Sequence, residues 1–220
     1  MKFSVLISVY FKESPDYLDA CLRSLYEQTI KADEVILVED GPISFELKKI
    51  IEKYRDLLNV ISVMLPNNVG LARALNEGLK YCSYELVARM DSDDICLPTR
   101  FEKQIDFMCN NLYVAVCGGQ IEEWDQEITK KIGCRKLPLN HDELFKFSKK
   151  RSPVSHPVVM FRKSAVISSG CYPENYPEDY YLWIKMLHKG YNISNLPDGL
   201  WLMRTGHYFI ARRGYIFLHG

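Results

Sequence analysis

Strand-like and helix-like segments alternate over the first 118 residues, and this alternation restricts the fold more than any other feature of the sequence. Phe3–Tyr10 and Glu34–Glu39 are short apolar runs rich in β-branched residues, which is typical of buried strands. Between them, Ser14-Pro15 is typical of a helix start, and apolar residues then recur at helical spacing. Three more predicted strands continue the pattern: Val60–Leu65, Leu86–Met90 and Val114–Gly118. Because helices separate the strands, the sequence predicts an α/β domain with a mostly parallel central sheet flanked by helices.

The alternation weakens after residue 118. The elements predicted there are a helix near Asp142–Lys149, a strand near Val158–Arg162 and a helix from about Glu178 to Lys189, ending at Gly190. The chain has no evident linker, internal repeat or low-complexity stretch. We therefore expect a single domain, 1–220, in which a first half, 1–118, is packed against a second half, 119–220.

The composition is that of an ordinary globular protein, with 47% hydrophobic and 25% charged residues. The 28 Lys and Arg residues balance the 28 Asp and Glu residues, which argues against a general nucleic-acid binder. No apolar run approaches the roughly 18–20 residues that span a bilayer. The seven cysteines are scattered and form no C-x-x-C pair, which indicates reduced thiols in a cytoplasmic protein.

Polar residues follow four of the predicted strands. In open α/β sheets, ligands bind beyond the carboxyl ends of the strands. The polar residues found at these ends are Ser8, Tyr10, Asp40, Gly41, Asn67, Asn68 and the run Asp91–Asp94. We therefore expect one edge of the sheet to form the ligand site.

Three carboxylates, Asp91, Asp93 and Asp94, stand within four residues directly after the fourth predicted strand. Their mutual repulsion raises pKa values unless a cation is nearby, and a hard divalent cation with oxygen ligands relieves that repulsion. Asp91 and Asp93 together indicate a metal or ligand site, whereas Asp94 alone is explained more simply as the cap of the next helix. An EF-hand loop is excluded, because the sixth position from Asp91 requires glycine and is Cys96.

Five motifs, in this order and spacing, resemble those of family 2 glycosyltransferases. They are Ser4–Tyr10, Val38–Gly41, Asn68–Ala72, Asp91–Asp94 and Glu178–Trp183. The resemblance covers nearly the whole chain and is strongest to bacterial members that build O-antigen or capsule repeat units. It implies the Rossmann-like GT-A fold, a nucleotide-sugar donor bound by the first half of the chain and a saccharide acceptor bound by the second half.

The resemblance also assigns donor-binding roles to residues of this sequence. Asp40 would contact the nucleobase, and Asp93 would bind the Mn²⁺ or Mg²⁺ that bridges the two donor phosphates. The residues expected to line the nucleoside are Ser8, Tyr10, Asn68, Gly70 and Asp91, with Arg73 as an additional candidate. The donors that we favour are UDP-sugars, with UDP-galactose or UDP-N-acetylglucosamine ahead of UDP-glucose.

Glu178 and Asp179 are adjacent acids at the start of a predicted helix. From the residues alone, a helix N-terminal acid pair is the favoured interpretation, since carboxylates stabilise a helix N-terminus. The resemblance instead makes Asp179 the base that takes the proton of the acceptor hydroxyl. A single base without a covalent nucleophile implies displacement with inversion. Glu178 is a candidate residue of the acceptor site, where its charge would alter the pKa of Asp179; the alternative is that Glu178 faces solvent.

A basic segment near the end of the sequence contains Arg204, His207, Arg212 and Arg213. It resembles the segment that closes over the donor diphosphate in the family, where arginine suits bidentate contact with phosphate. We therefore assign Arg204 and His207 to donor binding. A solvated tail, or a surface facing an anionic membrane, are the alternatives.

Two further features have both a functional and a structural interpretation. His156 is a candidate contact to acceptor or phosphate, and a structural histidine is the alternative. A cluster of basic residues is expected to be a solvated face, or else a surface for anionic lipid headgroups: Lys146, Lys149, Lys150 and Arg151.

These expectations describe an enzyme that glycosylates a hydroxyl of a growing glycan, with a polyprenyl-diphosphate-linked saccharide as the acceptor. It would act in the cytoplasm, with peripheral contact to the inner face of the membrane. One alternative is a sugar nucleotidyltransferase, but the glycine-rich loop expected after its first strand is missing from Tyr10–Ser14. The other is a non-catalytic nucleotide-sugar-binding scaffold, against which the intact Asp93 and Asp179 argue.

Overall fold

A computed structural model of the chain describes residues 1–174 and 177–205. Among these residues, the strands are β1 (Phe3–Val9), β2 (Glu34–Glu39), β3 (Val60–Met64), β4 (Leu86–Asp91), β5 (Ile95–Cys96), β6 (Val114–Trp124), β7 (Lys131–Arg135), β8 (Met160–Arg162) and β9 (Asn192–Arg204). The helices are α1 (Pro15–Tyr26), α2 (Phe45–Tyr54), α3 (Leu71–Tyr81), α4 (Arg100–Asn110), α5 (His141–Phe147), α6 (Lys163–Ser168) and α7 (Glu178–His188), and a 3-10 turn spans His156–Val158.

All these strands belong to one sheet, in the order β3-β2-β1-β4-β8-β6-β9-β5, with β7 paired to β6. The strands β3, β2, β1 and β4 are mutually parallel, as the crossover argument predicted. β8 runs antiparallel to both β4 and β6, whereas β9 runs parallel to β6. The predicted α/β fold with a mostly parallel central sheet is therefore confirmed.

Side chains of the central strands alternate between two apolar layers, one on each face of the sheet. Val5 and Ile7 of β1 join the layer that contains Leu22 of α1. Leu6 lies on the other face, in the layer that contains Leu75 of α3 and Trp183 of α7. Because β1 and β2 are covered on both faces, they are apolar almost throughout, which explains why the sequence identified them so clearly.

The second half of the chain departs from the sequence-based expectation. β6 has eleven residues, whereas only five were predicted, and β5, β7, α6 and β9 were not predicted. β9 contains Pro197-Asp198-Gly199, a turn-like sequence, and its register against β6 shifts at irregularities that interrupt the pairing. The division suggested at residue 118 falls inside β6, and the two halves remain a prediction.

The longest helix in the described part of the chain, α1, has 12 residues. None of the described helices combines the length and apolarity that crossing a membrane requires. The cysteines at positions 21, 82, 96 and 117 are buried and free, as expected for structural thiols. Burial raises the pKa of the Cys82 thiol to about 12, so this thiol stays protonated at neutral pH.

Candidate active site

Asp40 organises the loop between β3 and α3. Its carboxylate is buried and accepts hydrogen bonds from the backbone N–H of Val69 (2.7 Å) and Gly70 (3.1 Å) and from Asn68 Nδ2 (3.0 Å). Gly41 has φ +84°, and a Cβ there would lie 2.6 Å from the backbone nitrogen of Asn68. Three predicted donor-binding residues, Asp40, Asn68 and Gly70, are thus brought together, and only glycine at position 41 allows this close approach.

Ser8, Tyr10 and Asp91 extend this group along the same edge of the sheet. Ser8 is paired with Asp91 in the parallel ladder between β1 and β4. Ser8 and Tyr10 are half-buried, and the Tyr10 ring lies edge-on to Phe11, 5.7 Å between centroids. The carboxyl ends of β1, β2 and β4 therefore bring the predicted nucleoside-lining residues to one edge.

Arg73 lies in the first turn of α3, beside this loop. Its guanidinium forms an exposed ion pair with Glu174, 2.6 Å between Nη2 and Oε2. One turn later, Asn76 exchanges two hydrogen bonds with the backbone of Tyr172. Both contacts hold α3 against the segment that leads toward α7. An open cleft beside them is lined by residues that include Arg73, Asn76 and Glu174.

The acidic turn after β4 brings Asp91, Asp93 and Asp94 together, with carboxylate oxygens that all lie within 4.8 Å of one another. Carboxylate oxygens are the donors that Mn²⁺ and Mg²⁺ prefer, so this set fits the predicted divalent ion. Asp91 and Asp93 are half-buried, whereas Asp94 is 3% exposed. Burial raises the pKa of Asp94 well above its usual value, and the charges of Asp93 and Asp91 raise it further.

The interpretation of Asp94 as a helix cap is wrong. α4 begins after Thr99, and Asp94 instead accepts hydrogen bonds from Trp201 Nε1 and from the backbone N–H of Arg204, both at 2.8 Å. Two residues of β9 are thereby joined to the acidic turn over more than 100 positions of sequence. Local sequence favoured a cap because Asp94 precedes a helix, but the buried donors of β9 are the partners that the carboxylate needs.

Arg204 makes further contacts beside the acidic turn. Its Nε donates to the backbone oxygen of Asp93 (2.7 Å), its Nη1 donates to that of Gln126 (2.5 Å), and its guanidinium lies 4.3 Å from the centre of the Tyr17 ring. Arg204 therefore adjoins the acidic turn, and its role in donor binding remains a prediction. The predicted donor residue His207 lies outside the described residues, as do positions 212 and 213.

Two contacts that the sequence did not suggest fix the acidic turn to α1. Ser92 Oγ donates to Glu13 Oε2 at 2.5 Å, and Cys21 Sγ donates to the backbone oxygen of Asp91 at 3.4 Å. Glu13 is buried, and its other oxygen accepts from the backbone N–H of Ser14, at the start of the helix. The sequence feature that could have predicted this contact is the glutamate directly before Ser14-Pro15.

Arg89 is the functional candidate that sequence reasoning missed. Its side chain is 2% exposed, and Nη2 pairs with Asp91 Oδ1 at 2.5 Å. Among the described residues, Nε and Nη1 have no hydrogen-bond partner. Burial lowers the pKa of Arg89, but Asp91, with smaller contributions from Tyr172 and Asp179, raises it overall. The sequence feature that could have identified Arg89 is a charged residue inside the otherwise apolar strand Leu86–Met90.

Glu178 and Asp179 occupy the first turn of α7, and both are half-buried. Burial raises the pKa of Glu178; the charges of Asp179 and Asp91 also raise it, and that of Arg89 lowers it. The predicted base therefore shares one electrostatic environment with Arg89 and Asp91, at the junction of α7 and β4. The role of Asp179 as the base remains a prediction.

His156 lies beneath α7, in the 3-10 turn, and is 8% exposed. Its Nε2 is hydrogen-bonded to the Tyr172 hydroxyl at 3.1 Å, and its ring packs against Tyr172 and Trp183. Burial lowers the pKa of His156 well below its usual value, and the positive charge of Arg89 lowers it further, so the ring is neutral at pH 7. These contacts account for a packing role, and the acceptor contact remains a prediction.

A family model described as glycosyl transferase family 2 matches residues 4–170. The amylovoran biosynthesis glycosyltransferase AmsE of Erwinia amylovora is 44% identical over 218 residues, which are 98% of this chain and 81% of the relative. An Escherichia coli protein named UDP-Gal:alpha-D-GlcNAc-diphosphoundecaprenol beta-1,3-galactosyltransferase is 41% identical, over 98% of this chain and 78% of the relative.

Solved structures agree on the fold. S. aureus TarS 1-349 in complex with UDP-GlcNAc matches with a TM-score of 0.73 at 22% identity, over 94% of this chain and 59% of that one. The mannosyltransferase PcManGT from Pyrobaculum calidifontis, in complex with GDP-Man and Mn²⁺, matches with a TM-score of 0.71 at 15% identity, over 94% and 57%. The predicted GT-A fold is confirmed. Because the family model matches residues 4–170 and the two relatives match 98% of this chain, the chain belongs to glycosyl transferase family 2 and is a glycosyltransferase.

Proposed function

We propose that this glycosyltransferase transfers a sugar, with inversion, from a UDP-sugar to a hydroxyl of a lipid-linked bacterial surface glycan. The names of the relatives support this assignment, since they mention amylovoran biosynthesis and transfer from UDP-Gal to a sugar on diphosphoundecaprenol. We favour UDP-galactose or UDP-N-acetylglucosamine as the donor and a polyprenyl-diphosphate-linked saccharide as the acceptor. The enzyme would work at the cytoplasmic face of the membrane, as a peripheral protein.

The observation that carries the proposal is that the acidic turn has neighbours in two groups, since Asp91 pairs with Ser8 at the end of β1 and its charge acts on Glu178 at the start of α7. On one side lies the loop organised by Asp40, with Asn68 and Gly70. On the other side lies the first turn of α7, with Asp179. A nucleoside on the first side and an acceptor on the second would bring the donor diphosphate to the acidic turn.

Each donor-side residue has a role that its contacts support. Asp40 uses three of its roughly four lone-pair positions to hold the loop, which leaves capacity for one contact to a nucleobase N–H. Ser8 and Tyr10 would line the nucleoside, and Arg73 would reach it by exchanging its exposed partner Glu174. Arg204, held beside Asp93, would contact the diphosphate, together with His207.

The acidic turn fits a divalent ion, Mn²⁺ or Mg²⁺, with Asp93 as the principal ligand. The chemistry that such an ion supplies is neutralisation of the negative charge that develops on the leaving diphosphate. Arg89 holds Asp91 through the 2.5 Å ion pair and so places a buried positive charge at the acidic turn. Arg89 is therefore a positioning residue in this proposal.

Asp179 would act as the general base. It accepts the proton of the acceptor hydroxyl while that oxygen bonds to the anomeric carbon, and the bond from this carbon to the diphosphate oxygen breaks with its electron pair. Because the hydroxyl attacks from the side opposite to the diphosphate, the configuration inverts. Glu178 stands next to this base, and its raised pKa makes it the neutral neighbour over a wider pH range.

The proposal is tested by melting temperatures measured with UDP, GDP and dTDP, each with and without Mn²⁺. A ligand at about 100 times its dissociation constant stabilises the folded state by about 2.7 kcal/mol. We expect a shift with UDP that requires Mn²⁺, followed by transfer activity in a panel of UDP-sugars. A shift with GDP or dTDP alone would overturn the donor assignment, and hydrolysis of the UDP-sugar to UDP and free sugar, without transfer to any lipid-linked acceptor, would overturn the acceptor assignment.

A further inference from the structure

Four cationic side chains at the end of α5 have no role in the mechanism above. Lys146 lies in the last turn of the helix, and Lys149, Lys150 and Arg151 follow the helix directly; all four are exposed. We call these four residues the basic turn. Within residues 1–174 and 177–205, none of them lies within ion-pair distance of a carboxylate. A chain with zero formal net charge thus has an uncompensated positive surface at this place.

The backbone directs these charges outward together. The N–H groups of Lys150 and Arg151 both donate to the carbonyl oxygen of Phe147, at 3.0 and 3.2 Å, which closes a tight turn. The acids of α5, Asp142 and Glu143, lie in the first turn, at the opposite end of the helix. The positive surface is therefore separated from the acids of its own helix.

The basic turn is packed against the start of α7. The Tyr180 hydroxyl donates to the backbone oxygen of Ser148 at 2.6 Å, and Tyr180 directly follows Asp179. Further along the same segment, the ring of His156 packs against Trp183 of α7, with 6.1 Å between centroids. The basic turn is thus one tyrosine side chain away from the helix end that bears the proposed base.

We propose that the basic turn binds the diphosphate of the lipid-linked acceptor. This inference rests on the proposed function, because it takes Asp179 as the residue that meets the acceptor hydroxyl. In an acceptor with one sugar on the diphosphate, such as the one in the name of the Escherichia coli relative, the phosphates adjoin the sugar that is glycosylated, so they must lie close to the base but outside the donor site. Lysine offers point charges and arginine a planar fork to phosphate oxygens, and exposed cations suit a ligand that arrives from a membrane surface.

The chain offers a matched control on α2. Lys48 and Lys49 are exposed there and form no ion pair among the described residues, and Lys49 Nζ lies 4.5 Å from the centre of the Phe45 ring. The basic turn repeats this arrangement, with Lys149 Nζ 5.8 Å from the centre of the Phe145 ring. The two surfaces therefore share exposed lysines over a phenylalanine, but only the basic turn adjoins α7.

The test compares wild type, the triple variant Lys149→Ser/Lys150→Ser/Arg151→Ser and the control Lys48→Ser/Lys49→Ser. Binding of octyl diphosphate is measured by calorimetry at low salt, with UDP and Mg²⁺ present to fill the donor site. We expect the dissociation constant to rise about tenfold in the triple variant and to stay within about twofold of wild type in the control, since each exposed charge contributes modestly. An octyl glycoside, which has the same alkyl chain but no phosphate, should bind all three proteins equally. Higher salt should weaken the binding of octyl diphosphate to wild type.

Two results would overturn the proposal. One is equal binding of octyl diphosphate to wild type and to the triple variant. The other is a loss of sedimentation with phosphatidylglycerol vesicles in the triple variant that is larger than its loss of diphosphate binding, which would assign the basic turn to lipid headgroups instead. If the triple variant unfolds, Lys149→Glu and Arg151→Lys replace it, with a clear loss expected for the first and little change for the second. Failure of the proposed function itself would be recognised separately, as the absence of any UDP-dependent shift in melting temperature of wild type.

Discussion

In the parallel part of the sheet, β1 to β4, the candidate donor residues are held by contacts between neighbouring loops, such as those of Asp40 with the backbone of Val69 and Gly70, 29 and 30 positions away. In the mixed part, β6, β8 and β9, the decisive contacts span far more sequence. Asp94 meets Trp201 and Arg204 at separations of 107 and 110 positions. The first group forms as successive strand–helix units pack, whereas the second requires the complete sheet.

Because of this difference, we expect the two sides of the proposed site to have different functions. The proposed donor side is organised by its own loops, whereas α7, on the proposed acceptor side, packs on the sheet through the apolar layer that contains Leu6 and Leu75. The acidic turn belongs to both parts, because Asp91 ends β4 and Asp94 holds β9. Substitutions on the two sides should therefore separate donor binding, fold stability and acceptor binding.

The largest expected effect concerns chemistry at the acidic turn. Asp93→Asn should lower the transfer rate by about a hundredfold or more, because the variant loses a negatively charged ligand for the ion that neutralises the leaving group. The measurement is kcat with a UDP-sugar at saturating Mn²⁺, and the exposed Asp16→Asn on α1 is the control. Full activity of Asp93→Asn would contradict the metal assignment.

The next effect is on stability, at the joint between the two parts. Asp94→Ala removes the acceptor of the buried Trp201 Nε1 and of the half-buried backbone N–H of Arg204, and should lower the free energy of unfolding by about 3 kcal/mol. Urea denaturation gives this value. Asp198→Ala, which removes only an exposed ion pair with Lys103, should change it by less than about 1 kcal/mol. Equal stabilities of the two variants would mean that Asp94 does not join the two parts.

A smaller effect tests the donor loop by itself. Gly41→Ala and Gly190→Ala both place a side chain at a positive φ, +84° and +83°, and this backbone conformation alone should destabilise each variant by roughly 1 kcal/mol, with a further loss at position 41 from the clash with Asn68. Only at position 41 does the new Cβ meet the backbone of Asn68; at Gly190 nothing lies within 4 Å. The UDP-dependent shift in melting temperature should therefore shrink in Gly41→Ala alone. A normal shift in that variant would show that the Asp40 loop does not bind the nucleotide.

The smallest effect concerns the acceptor side and pH. His156 is buried and neutral, with a pKa lowered by burial and by Arg89, whereas in the unfolded chain it binds a proton near pH 6.5. Protons therefore favour the unfolded state, and stability falls as pH drops below about 6.5, by at most about 1.4 kcal/mol per pH unit for this group. His156→Gln should make the dependence of unfolding free energy between pH 7 and 5.5 shallower. Unchanged slopes, with a raised KM for acceptor, would instead favour the acceptor contact.

The parallel part of the fold follows from local sequence. β1 and β2 were predicted almost to the residue, because strands covered on both faces are continuously apolar. The residues gathered by the Asp40 loop and the acidic turn were also identified, because strand ends converge in a parallel sheet. In this region, periodicity and the position of polar residues contain the necessary information.

The mixed part does not follow in the same way. β7 is a charged, mostly exposed hairpin strand, and β9 contains a Pro-Asp-Gly sequence that resembles a turn. The partners of Asp94 and the surroundings of Arg89 depend on which residues meet across 70 to 110 positions of sequence. Such pairings are set by the packing of the complete sheet, so no local pattern predicts them.

The most direct test of the account is Asp179→Asn, measured both for transfer and for nucleotide binding. We predict a loss of kcat of about a hundredfold or more, as for removal of a general base, with the UDP- and Mn²⁺-dependent shift in melting temperature unchanged. That result would show that nucleotide binding, on the donor side, does not depend on Asp179, whereas catalysis does. Transfer at the wild-type rate by Asp179→Asn would contradict the central claim that a carboxylate of α7 is the base.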